Sequence, residues 1–370
     1  MLMSTHEARL DALRKELARR RLDGFVVPIS DEHMSEYVGA YAQRLQWLTG
    51  FNGSAGTAVV LADRTEGKGA TIFVDGRYTL QVRDQVDGAQ WDYASVPETS
   101  PARWLGEHAP EGARIGYDPW LHSRAWADAL GKALAKRKAV PVAVDSNPID
   151  AVWQDRPEPS AAPAIVQDDA LAGRSSADKR AEVARWLAQE ELDAVVIPAL
   201  DSIAWLLNIR GADVDRTPVA LSFAVAHADG TADLFIAPGK VTPALRAHLG
   251  NAVRVSPRDG FVPALTALAG KRVAADPDHA VAAIFAALDQ AGAHVVAATD
   301  PCTLPKAVKN GAEQAGHRAA QARDGAAVAR FLHWLSVEAP TGAVDELEPV
   351  SSRKACNRAA GPTGPSSITG

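Results

Sequence analysis

A guanidinium beside a carboxylate, set around a glycine, is the arrangement in this chain best suited to recognise a charged group. It occurs twice, as Asp75-Gly76-Arg77-Tyr78 and as Arg210-Gly211-Ala212-Asp213. Glycine supplies a turn, and arginine offers a planar fork of donors to a carboxylate. The same residues can also close the turn on themselves through an internal Asp–Arg pair. For Asp75 and Arg77 that internal pair is the favoured reading, and the second string carries the same ambiguity.

Other chemistry has less support. Gly53-Ser54-Ala55-Gly56 suggests a phosphate nest but lacks the Lys-Ser/Thr of a P-loop. Ser54 has no nucleophile-elbow context. The ten histidines are scattered, and no HExxH or i, i+4 pair occurs. His317 and His333 fall in one helical stretch more than four turns apart, with Asp324 between them. Packing or surface roles are expected for these residues rather than metal ligation. The two cysteines, Cys302 and Cys356, build neither a disulfide framework nor a thiolate metal site. A reducing, cytoplasmic compartment is the expectation.

The elements that must position these residues are legible as a long repeat. LDGFVVP at 22–28 recurs as LDAVVIP at 192–198, QWLTGF at 46–51 as AWLLNI at 204–209, and RIGYDP at 114–119 as RVAADP at 272–277. The spacing shortens between the first and second matches, so copy one carries about twelve extra residues between Pro28 and Gln46. A repeat this long denotes two tandem domains rather than a solenoid. Each copy opens with an amphipathic helix: Leu10, Leu13 and Leu17 in one, Val183, Trp186 and Leu187 in the other. Ser4 with Glu7, and Ser175 with Asp178, have capping-box spacing. The runs Phe25–Val27 and Val195–Ile197 read as buried strands closed by proline.

Further strands are expected at 57–62, 70–75, 219–226 and 232–237, with hairpins between them. RIGYD and KRVAAD read as later strands. Together these predict an α/β fold, a sheet with helices packed on it. Trp47 and Trp205 occupy equivalent positions, which favours core packing. Pro157, Pro159 and Pro163 make 154–167 a semi-rigid linker. Asn310 and Glu313 are placed to cap a helix entering at Gly311, with a stripe of Val328, Phe331, Leu332 and Leu335. Ala339-Pro340 ends it.

Composition sets the outer limits. The 47% hydrophobic and 23% charged content is that of an ordinary globular protein. A net charge of −6 argues against nucleic acid, and KALAKRK at 132–138 reads as a solvated helix face. The first residues are too charged for a signal peptide. No apolar stretch is long enough to span a membrane.

FNGSAGTAVV at 51–60, VDGRYTLQ at 74–81, WLLNIRGADV at 205–214 and the stretch 304–335 carry a resemblance, strengthened by the repeat and by IDAVWQDRPEP at 149–159. From about residue 5 to about 350 the chain resembles the large, three-domain Xaa-Pro aminopeptidases (aminopeptidase P). The resemblance implies two tandem creatinase/prolidase N-terminal-type domains, 1–153 and 175–303, each a mixed sheet flanked by helices. A linker, 154–174, joins them. The start of a pita-bread aminopeptidase domain follows at 304–352, an incomplete helical remnant, and then a disordered tail, 353–370.

That family removes an N-terminal residue preceding proline, using two divalent metals, usually manganese. A water bridging such metals becomes a hydroxide nucleophile at neutral pH. All five metal ligands belong to a stretch with no counterpart here, so no cofactor and no catalytic residue is assigned to this chain. In the family the first domain borders the active-site cleft, and the second Arg-Gly string lies at the domain junction. Asp75, Arg77, Arg210 and Asp213 are therefore the substrate-cleft candidates. The implied partners are peptides with proline second. The family commonly dimerises through its catalytic domain, which puts dimerisation of this chain in doubt.

The expectation is thus the N-terminal part of a metalloaminopeptidase, itself inactive. The residues after Ser352 read like translation in a wrong frame, which a frameshift or an early stop would produce. The alternative is a non-catalytic binding or assembly protein built from the two scaffold domains.

Overall fold

The computed structural model describes residues 6–63, 67–342 and 344. Ser4 and the 353–370 tail lie outside the described residues. Two compact units make up the chain. One comprises the described residues up to Gln167 with Arg174–Ala307, and the other Asp168–Gly173 with the described residues from Val308 onward.

The first unit holds two six-stranded sheets. In copy one the strands are β1 (Gly24–Pro28), β2 (Gly56–Leu61), β3 (Ala70–Val74), β4 (Asp92–Ser95), β5 (Arg114–Tyr117) and β6 (Val140–Ala143). Strand β7 (Ile165–Val166) follows. In copy two come β8 (Ala194–Ile197), β9 (Ile209–Arg210), β10 (Ser222–His227), β11 (Ala232–Ile236), β12 (Val253–Ser256), β13 (Arg272–Ala275) and β14 (His294–Ala297). The sheet orders are β4-β3-β2-β1-β5-β6 and β12-β11-β10-β8-β13-β14, the same path taken twice. The pairings also match. β1–β2 and β8–β10 are antiparallel, and β1–β5 and β8–β13 are parallel. The central strands β1 and β8 are buried on both faces, which explains their unbroken apolar runs.

Each copy builds its own core on either side of its sheet. The opening helix His6–Arg19 lays fully buried Leu10, Leu13 and Leu17 on one face of the first sheet, beside Phe25, Leu48 and Ile149. Helix Ser176–Gln189 does the same with Val183 and Leu187. Its cap is reciprocal. The Ser175 hydroxyl accepts from the Asp178 N–H at 3.1 Å and donates to the Asp178 carboxylate at 2.7 Å. Trp47 stacks on Trp153 at 5.5 Å, and Trp205 lies in the second core.

Residues 154–167 are not a linker throughout, because Ile165 and Val166 pair with Ile209 and Arg210 as a two-stranded ribbon. The linker is tied down by Lys240, whose ammonium donates to the Ser160 carbonyl at 2.6 Å.

The copies meet through the segments after β5 and β13. Asp118 and Asp276 open the two segments and use their carboxylates alike, each accepting from the N–H two residues on, Trp120 or Asp278. The Ala125 N–H donates to the Pro277 carbonyl at 3.1 Å, and the Ala283 N–H to the Pro119 carbonyl at 2.9 Å. Both donors lie in first turns of helices, where the N–H has no partner within the helix.

In the second unit, helix Gly311–Glu338 starts at Asn310, whose side chain accepts from the N–H groups of Ala312 and Glu313 at 3.0 Å. Glu313 returns a bond to the Asn310 N–H at 2.9 Å. Asn310 also donates to the Ala172 carbonyl of the short helix Asp169–Ala172. The long helix buries none of its side chains, and Phe331 and Trp334 stack on each other at 5.9 Å.

Candidate functional site

The extra residues of copy one form a strap between β1 and the helix Arg44–Thr49, with one turn of 3-10 helix at Ala40–Ala42. Its first anchor is electrostatic. The Asp31 carboxylate accepts from the N–H groups of His33 and Ser35, both at 3.0 Å. His33 is buried, with its Nδ1 2.9 Å from the Pro198 carbonyl and its Nε2 2.9 Å from the Arg258 guanidinium. A carbonyl only accepts and a guanidinium only donates, so Nδ1 carries the proton and the ring is neutral. Burial holds the His33 pKa below its ordinary value, against the pull of Glu32 and Asp31.

Arg258 also pairs with Glu32, which accepts from the Tyr41 hydroxyl at 3.0 Å. Burial disfavours charge on Glu32, but its neighbours His33 and Arg258 together outweigh it and the carboxyl sits well below its usual range. The second anchor is apolar. Tyr41 and Ala42 pack with Leu200, Ala204, Val214 and Leu221 of copy two. Beyond it, Arg44 makes a bidentate pair with Asp150 at 2.7 and 2.8 Å, and Arg156 joins that pair at 2.7 Å.

Between strap and copy two lies a cleft of about 870 Å³. Glu36 to Tyr41 form one wall, Ala212 to Thr217 another, with Asn52 to Ser54 at one end and Glu158 beside Ser160 at the linker. Arg216 stands in the left-handed region, φ 61°, inside the tight turn that bridges Val214 and Thr217. Glu36, Glu158 and Asp215 put more negative than positive charge on the lining. The Ser54 hydroxyl lies 2.9 Å from the Tyr78 hydroxyl and 3.2 Å from Glu36. That is a hydrogen-bonding surface without the imidazole that would make a serine nucleophile.

The four candidate residues occupy different settings. Arg77 forks onto Asp75, Nη2 to Oδ2 at 2.8 Å and Nε to Oδ1 at 3.1 Å, so the internal pair is present. Those bonds hold the Asp75 carboxyl below its ordinary pKa. The Arg77 guanidinium lies 5.1 Å over the Tyr78 ring, and Tyr78 reaches the cleft through Ser54. Arg210 donates to the Ala204 and Ile209 carbonyls at 2.9 and 2.8 Å. Asp213 lines the cleft, but its carboxylate is engaged by buried Lys240 at 2.5 Å and by the Leu221 N–H at 2.7 Å.

Sequence reasoning missed Glu36, Tyr37, Glu158, Asp215 and Arg216. For Glu36 and Tyr37 the signal was the twelve-residue excess in copy one, which marks where the repeat departs from itself; Glu158, Asp215 and Arg216 carried none. Among the described residues no group of three or more His, Cys, Asp or Glu side chains is placed to hold a metal ion. The described side chains therefore do not fit a dinuclear centre.

Comparison with known proteins agrees with the duplicated architecture. Models of the creatinase/prolidase N-terminal domain match residues 9–152 and again 155–313. A probable Xaa-Pro aminopeptidase P of Aspergillus clavatus is 34% identical over 365 residues, covering 93% of this chain and 54% of that protein. One from Penicillium rubens is 34% identical over 340 residues, covering 89% and 54%. The chain belongs to the Xaa-Pro aminopeptidase family. The crystal structure of the X-prolyl aminopeptidase of Caenorhabditis elegans, a cytosolic enzyme with a di-nuclear active site, aligns over 91% of this chain and 57% of that one. The TM-score is 0.84 at 29% identity. The chain thus spans about half the length of the curated relatives it matches.

Proposed function

We propose that this chain is the two-domain scaffold portion of a cytoplasmic Xaa-Pro aminopeptidase. The whole protein would remove the N-terminal residue from peptides with proline second, using two divalent metal ions, with manganese the expected metal. The observation that carries this reading is the 34% identity to an aminopeptidase P across 93% of the chain. A structural likeness at TM-score 0.84 to a di-nuclear X-prolyl aminopeptidase supports it. Among the described residues no helix is long and apolar enough to cross a membrane.

In this reading the chain supplies shape rather than the reacting groups. The Asp75–Arg77 pair stands by the cleft margin, where Arg77 presents its remaining donors toward a peptide carboxylate. Arg210 and Asp213 brace the ribbon and the cleft wall that such a peptide would pass. In this reading the chain by itself is inactive.

The test is a peptidase assay of the purified chain on Arg-Pro-Pro with added manganese, with a chelated control. No release of the N-terminal arginine is expected. Chelator-sensitive release would overturn the assignment of inactivity.

A further inference from the structure

The seam between the copies has two parts of different chemistry. Around Ala125–Pro277 and Ala283–Pro119 it is mainly backbone to backbone, with no titratable partner in either bond, and the ion pair beside them, Arg124 with Asp289 at 3.4 Å, is exposed. At the start of the strap it rests on ionisable side chains: Asp31, Glu32 and His33 from the strap, with the Tyr41 hydroxyl behind them and Arg258 from copy two; the far end of the strap is held by the apolar packing of Tyr41 and Ala42. The remaining neighbours of the His33 ring, Phe223 at 4.6 Å between centroids and the Pro198 carbonyl, carry no charge. We propose that residues 31–40 form an acid-released latch, in which protonation of His33 frees this stretch from copy two while the apolar anchor at Tyr41 and Ala42 and the backbone pairing of the copies hold as pivots.

The geometry allows one protonation state in the closed form. Both ring nitrogens are engaged, and Nε2 must accept from Arg258. A proton on Nε2 sets N–H against N–H at 2.9 Å and places a second cation beside the guanidinium. The nearest carboxylate to take that proton's bond is Glu32, whose Oε1 is 4.0 Å from Nε2, but Glu32 is already the anion of Arg258. Protonated His33 and Arg258 then compete for one carboxylate. The strap is the wall of the cleft, so its release widens the cleft.

The sign follows from burial. In the open form His33 is solvated and titrates near its ordinary value, about 6.5. In the closed form it is held lower. Each pH unit below about 6.5 therefore shifts the balance about tenfold toward the open form, until the closed-form value is reached.

The test places spin labels on the two walls of the cleft in the full chain, at Tyr37→Cys and Asp215→Cys, with Cys356→Ser removing a competing thiol. Cys302 is buried and is retained. Interlabel distance is read from about pH 7.5 to about pH 4.5, with far-UV circular dichroism in parallel. A longer distance at acid pH with unchanged dichroism is expected. In His33→Gln, which has no titrating ring, the distance should stay constant over the same range. The proposal fails if the distance does not change in the folded chain. It fails equally if His33→Gln shows the same change, or if the chain unfolds before the walls separate.

Discussion

Ser123 and Val281 face each other in an antiparallel bridge, and they are the same residue of the repeat, each five positions beyond its Asp118 or Asp276. A residue that meets its own equivalent lies on a two-fold axis. The bonds on either side of it, Ala125 to Pro277 and Ala283 to Pro119, exchange under that axis. This is the geometry of an isologous interface, built here within one chain. The strap is what breaks the symmetry, since copy two has no counterpart to it.

The bridge predicts a disulfide. Opposed residues in an antiparallel pair have Cα atoms about 4.5–5.5 Å apart, within reach of a cystine. Ser123→Cys with Val281→Cys should oxidise without harming the fold. The cost is the Ser123 cap on Trp126, about 1 kcal/mol. Closing so long a loop should contribute on the order of 5 kcal/mol. The urea midpoint of the oxidised form should therefore rise. Failure of the pair to oxidise, seen by thiol counting, would mean the copies do not meet there.

Asp213 and Asp75 should behave differently on substitution. Removing Asp213 strands the Lys240 ammonium in a buried site, which costs about 3–5 kcal/mol. Asp75→Ala breaks a largely exposed pair and one cap bond to the Arg77 N–H, and should cost no more than about 1 kcal/mol. Equal effects would show that the Asp213 pair is not the brace described above.

Acid should weaken the fold through His122. Burial lowers its pKa to about 4, against an ordinary value of 6.5, and its ring stacks on Trp126 at 3.8 Å. The unfolded chain takes up this proton first. The stability is therefore complete above about pH 6.5 and is lost as pH falls toward 4, by roughly 3 kcal/mol in all. His122→Phe should flatten the dependence of unfolding free energy on pH over that window. An unchanged slope would place the acid sensitivity elsewhere.

Much of the scaffold is legible in the sequence because its signals are local. The runs at 25–27 and 195–197 are apolar on both faces because their strands are central. Asn310 and Glu313 cap a helix wherever that helix goes. The seam and the cleft are not local. Lys240 finds Asp213 across 27 residues, and Arg258 finds Glu32 across 226. No spacing rule connects such pairs. Asp75 and Arg77 were readable because they lie two residues apart, and Glu36 and Asp215 were not because only the folded repeat brings them to one cleft.

Helix Gly311–Glu338 should be the first of the described elements to be cut. It buries no side chain, and Val328 and Leu332 are about half exposed, at 54% and 55%. Few buried contacts mean a low cost of local opening. In limited proteolysis followed by mass spectrometry, cleavage within 311–338 should precede cleavage in 6–300. Equal resistance of the two regions would contradict this.

Metal binding by the purified chain tests the central claim most directly, that this chain supplies the scaffold of an Xaa-Pro aminopeptidase and not its metal centre. After chelation and dialysis, manganese is titrated and bound metal counted by equilibrium dialysis. No tight, stoichiometric binding is expected. Two manganese ions held tightly per chain would contradict it.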